Sequence, residues 1–142
     1  MDTIVTIVTI NINEEAARAN GQPIDRELYS VSPYARWFNE TCLGWNRIPE
    51  NNLLYLHCQQ NYANELLRSR GYLFLNEVYD ILGIPRTKAG QVIGWIFDTD
   101  NPVGDNYVDF GLLDTRHENF INGYEKSVLL DFNVDGMILD RI

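Results

Sequence analysis

Hydrophobic and polar positions alternate at both ends of the chain and follow a helical spacing in its middle. Over residues 2–12, Ile4, Thr6, Val8 and Ile10 face one way and Val5, Ile7 and Thr9 the other, a two-residue period that predicts a strand. Asn13 is placed to cap a short helix through Ala19, with Glu14 and Glu15 in its first turn and Asn20-Gly21 as its stop. Residues 27–31 predict a second short strand. Ser32-Pro33 reads as a helix start, and Tyr34, Trp37 and Phe38 then form an aromatic stripe at helical spacing, expected in the core.

The longest predicted helix covers residues 50–70. Tyr55, Cys58, Tyr62 and Leu66 lie along one stripe, with Leu56, Ala63 and Leu67 beside it, so this broad face is expected to be buried. Arg68 and Arg70 suit the negative end of its dipole, and Gly71 ends it. Asn76 is expected to open a further helix with Val78, Ile81 and Leu82 as its apolar side, closed by Gly83 ahead of Pro85. The connection 44–49 holds Trp45, a candidate loop anchor.

Beyond the polar turn 87–90 the pattern returns to strands. Residues 92–97 and 107–113 are predicted strands, with Val108, Phe110 and Leu112 on one face of the latter and Asp109 on the other. A loop of Asp, Asn, Pro and Gly fills 98–106. After a polar loop over 114–124, Val128, Leu130, Phe132 and Val134 alternate, with Asp131 outward. Asp135-Gly136 signals a hairpin turn, and residues 137–141 return as a last strand. The expected architecture is a single α+β domain over 1–142. It comprises an N-terminal strand region (1–31), a helical region (32–83) and an antiparallel β-meander (91–142) packed against the long helix.

Composition narrows the function classes. A hydrophobic fraction of 45% with 3 Trp, 8 Tyr and 6 Phe supplies a real core and argues against wholesale disorder. The net charge is -9, with eight acids against six bases in residues 1–70 and twelve against five in 71–142. That balance disfavours direct nucleic-acid binding, which needs clustered Lys and Arg, and binding to anionic lipid. The first ten residues carry neither a basic leader nor a spanning apolar run, so no membrane association is expected. Cys42 and Cys58 permit one disulfide, but their spacing does not demand it; buried free thiols in a reducing compartment are expected.

No motif selects a chemistry. His57 and Cys58 are adjacent in the predicted helix and point about 100° apart, which defeats a dyad. His117 sits in a polar loop. Cys42, Cys58, His57 and His117 lack the paired spacing of a zinc site. The 98–106 loop starts like a calcium loop, but Pro102 and Val103 stand at its fifth and sixth positions and Asp109 at its twelfth, where an oxygen ligand, Gly and Glu are needed. No phosphate-cradling glycine motif and no nucleophile elbow is present. The expectation is therefore no cofactor, no metal and no catalytic residue. An enzyme of unrecognised type would need a pocket joining His57 or His117 to two carboxylates.

The stretch "GYLFLNEVYDILGIPRTKAGQVIGW" (71–95), with "YVDFGLLD" (107–114) and "SVLLDFNVDG" (127–136), resembles a family of uncharacterised proteins carried by phages and prophages of Firmicutes. The resemblance covers about half of the chain and implies a phage-encoded protein located in the host bacterial cytoplasm or the virion. It carries over no catalytic residues. The first functional expectation is a non-catalytic interaction protein with a protein partner, serving as a minor virion component or an assembly accessory. Its N-terminal strand would be suited to homo-oligomer formation through another sheet edge. The alternative is an acidic inhibitor of a host nuclease or defence protein, since residues 98–140 hold ten acids against two bases. The interaction candidates are Asp98, Asp100, Asp105, Asp109 and Trp45.

Overall fold

The structure is a computed structural model and describes residues 32–112 and 127–142. The strand predicted at 2–12, the helix at 13–19, the strand at 27–31 and the loop at 114–124 with His117 lie outside the described residues.

Ser32 and Pro33 do start a turn: Ser32 Oγ accepts the Tyr34 N–H at 3.2 Å and Ser32 O accepts the Ala35 N–H at 3.2 Å. The chain then extends as β1 (Arg36–Phe38) instead of continuing as a helix. β1 pairs antiparallel with β2 (Val128–Leu130) in the register Arg36↔Leu130 and Phe38↔Val128. All three residues of β1, Arg36 included, are buried, as in a strand covered on both faces.

Helix α1 (Pro49–Arg70) matches its prediction in extent. Pro49 occupies the first helical position, where its missing N–H costs nothing. Asn52 fixes the entry: its Oδ1 accepts the Asn46 N–H at 2.7 Å and its Nδ2 donates to Asn46 O at 2.6 Å. At the other end Gly71 adopts φ 86°, a left-handed cap, and its N–H reaches Leu67 O at 2.7 Å. The buried stripe is Asn52, Leu56, Ala63 and Leu67. Cys58 and Tyr62, expected inside, are exposed, because the tightly buried side of the helix is centred on Leu56 and Leu67.

Three residues beyond α1, absent from the predicted elements, form β3 (Tyr72–Phe74). β3 pairs antiparallel with β4 (Ile93–Ile96), which also pairs with β5 (Gly136–Met137), giving a second sheet in the order β3-β4-β5. Gly94 permits this packing: a Cβ there would run into the Leu73 carbonyl, so Gly94 makes room for the neighbouring backbone. Gly136 lies within β5, so Asp135-Gly136 does not turn a hairpin. Residues Leu139–Arg141 form a 3₁₀ turn where a strand was expected.

Helix α2 (Leu75–Leu82) follows directly and stops at Gly83, as predicted. Its start is held by Glu77, whose Oε2 accepts the Phe74 N–H at 2.9 Å. Asn76 does not cap it. Instead its Nδ2 donates to Thr87 O at 2.9 Å and its Oδ1 accepts the Thr87 N–H at 3.0 Å, tying the following connection to the helix.

Among the described residues, two helices and antiparallel strands shared between two sheets make the expected α+β fold. One core cluster joins Phe38, Leu56, Leu67, Leu73, Tyr79, Leu82, Trp95, Phe110, Leu130 and Phe132, among others. Phe132 meets Tyr79 and Phe110 edge-on at centroid separations of 5.7 Å and 5.4 Å, an arrangement aromatic quadrupoles favour. A smaller cluster gathers Ala35, Trp37 and Leu129 on the other side of the β1–β2 pair.

Candidate functional site

The segment 107–112 keeps the predicted alternation, with Val108, Phe110 and Leu112 buried, but is no ladder strand. One edge is satisfied by side chains of α1. Asn64 Oδ1 accepts the Val108 N–H at 2.7 Å, Asn64 Nδ2 donates to Val108 O at 3.0 Å, and Gln60 Oε1 accepts the Phe110 N–H at 2.8 Å. From the other side, Phe110 O and Asp109 O accept the N–H groups of Asp131 and Asn133 at 3.1 Å and 3.3 Å. The segment is thus clamped between a helix and the chain that follows β2.

Asn133 is the hub of that arrangement. Its Oδ1 accepts the Trp95 indole N–H at 2.9 Å and the Asp109 N–H at 2.7 Å. Its Nδ2 donates to Asp105 Oδ2 and to Tyr107 O, both at 3.0 Å. Four bonds use the full capacity of a carboxamide. Asn133 therefore sets the position of the acidic loop relative to the core tryptophan.

The loop 98–106 is closed at its base. Asn106 Oδ1 accepts the Asp98 N–H at 2.9 Å, and Asn106 Nδ2 donates to Asp98 O at 3.3 Å. Asn106 takes φ 64°, a left-handed conformation that Asn tolerates. Asp98 Oδ1 accepts the Asp100 and Asn101 N–H groups at 3.1 Å and 3.0 Å, an Asx turn. Asp135 Oδ2 accepts the Ile96 N–H at 2.8 Å. Gly104 lies so close to the Asp135 carboxylate that a Cβ there would collide with it. Burial pushes the Asp135 carboxyl above its ordinary value, and the neighbouring Asp105 carboxylate adds to this; N–H donors from Ile96 and Asp105 oppose both.

The predicted site residues therefore divide. Asp98 and Asp109 are half-buried and serve the backbone; Asp109 Oδ1 accepts the Gly111 N–H at 2.7 Å. Asp100 and Asp105 are exposed. Trp45 is not part of this surface. It packs on Phe38 at a centroid separation of 5.6 Å, as a loop anchor against the core. Gln60, Asn64 and Asn133 hold the site together and were not singled out from sequence, because their partners lie far along the chain, while Asp135, read there only as a turn residue, holds the Ile96 N–H.

His57 is exposed on α1, and among the described residues no group of three or more His, Cys, Asp or Glu is arranged to hold a metal ion. The thiols differ: Cys42 is buried and Cys58 exposed, which corrects the expectation of two buried thiols. Sequence reading also passed over Arg36, a buried guanidinium at 5.6 Å from the Tyr79 ring centroid. Its Nη1 donates to Pro33 O at 3.1 Å and Ala35 O at 2.7 Å, and burial draws its pKa below the usual arginine value. Among the described residues no helix is long and apolar enough to cross a membrane.

A family model described as "Family of unknown function (DUF6353)" matches residues 6–142, and the chain belongs to that family. No curated protein and no solved structure matches it.

Proposed function

For this member of a family of unknown function, we propose a non-catalytic interaction role in a phage, as a minor virion component or an assembly accessory with a protein partner. One observation carries the reading. Asn133 joins the Trp95 indole to the Asp105 carboxylate and the Tyr107 carbonyl, and Asn106 closes the loop 98–106 on Asp98, so these polar side chains go into shaping a surface loop. The loop they support is ordered before any partner arrives, and a pre-ordered loop loses little conformational freedom on docking. The charge of -9 favours a protein partner over nucleic acid. Phage provenance rests on the resemblance of residues 71–95, 107–114 and 127–136. Mass spectrometry of purified virions, with cross-linking in infected cells, tests the role. Recovery of the chain in particles, or cross-links to head or tail assembly proteins, is expected. A chain found in neither setting overturns the reading.

A second reading, an acidic inhibitor of a host nuclease or defence protein, is favoured by the exposure of Asp100 and Asp105 on the tied loop. It calls for salt-sensitive binding to a basic host protein. Asp100→Lys with Asp105→Lys should abolish that binding; a complex indifferent to both substitutions and to salt removes this alternative.

A further inference from the structure

We draw no further inference here: the strongest candidate, the exposed apolar patch that Leu54 and Tyr62 form on the outer face of α1, carries nothing, because nothing in the structure shows what covers it.

Discussion

Asn64 and Val108, 44 residues apart, exchange two hydrogen bonds: the Val108 N–H donates to Asn64 Oδ1 at 2.7 Å and Asn64 Nδ2 donates to Val108 O at 3.0 Å. A carboxamide carries one acceptor and donors on adjacent atoms, as a peptide group does, so Asn64 stands in for a neighbouring strand. Gln60, one turn earlier, does the same for the Phe110 N–H. The segment 107–112 thereby packs against a helix without leaving its amides unpaired, which would be costly beside the buried Val108 and Phe110.

Asn64→Leu is expected to destabilise the fold by about 2–3 kcal/mol, because it strands a donor and an acceptor together. Gln60→Leu strands one donor and should cost about 1–2 kcal/mol. Because both side chains hold one segment, the double variant should lose less than the sum. Urea unfolding of the four proteins checks this; strict additivity would mean that the two bonds act on independent parts.

Gly94→Ala tests the closeness of the second sheet. The added methyl meets the Leu73 carbonyl, part of a paired strand that cannot rotate aside. A loss of about 3 kcal/mol is expected, at the upper end for overpacking. Gly71→Ala, where a Cβ meets open space, should lose less and only through its left-handed φ. Thermal unfolding of both variants ranks the two effects.

These contacts show which parts of the fold could be read locally. Helix α1 and the stops at Gly71 and Gly83 follow from spacing and caps within a few residues, so the pattern suffices. Tyr34, Trp37 and Phe38 suited a helix because Trp37 and Phe38 lie three and four positions after Tyr34. Only the pairing of Arg36–Phe38 with Val128–Leu130 shows that three consecutive residues are buried as a strand. Tyr72–Phe74 is too short to display a period. The site was legible in its acids but not in its supports: Asn133 meets Trp95 38 residues away, and an isolated Asn in a strand-like run gives no sign of that.

Two carboxylates should give opposite pH dependences. Burial raises the Glu77 carboxyl, but Arg70 at 2.7 Å and the Phe74 N–H outweigh it and hold the group below the ordinary glutamate range. Its contribution is present above about pH 4.3, the unfolded value, and is lost as pH falls through the folded pKa. Asp135 is raised by burial and by Asp105, so its contribution is fully present below about pH 3.9 and is lost as pH rises through the folded pKa. Glu77→Gln should flatten the acid limb of stability against pH. Asp135→Asn should gain on the wild type as pH rises from about 3.9 towards neutrality. Urea midpoints across that range separate the two; parallel curves for Asp135→Asn and wild type would show that Asp135 does not titrate differently on folding.

The two thiols should react at very different rates. Cys58 is exposed on α1, whereas Cys42 is buried, with its Sγ 3.6 Å from Trp37 O. Burial raises the Cys42 thiol, although Asn39 and Thr41 oppose the shift, so little thiolate forms near neutral pH and a reagent must wait for local opening. Modification by a disulfide reagent under native conditions should therefore be biphasic, with a fast equivalent from Cys58 and a slow one from Cys42. Cys58→Ser should remove only the fast phase, and denaturant should merge the two in the wild type.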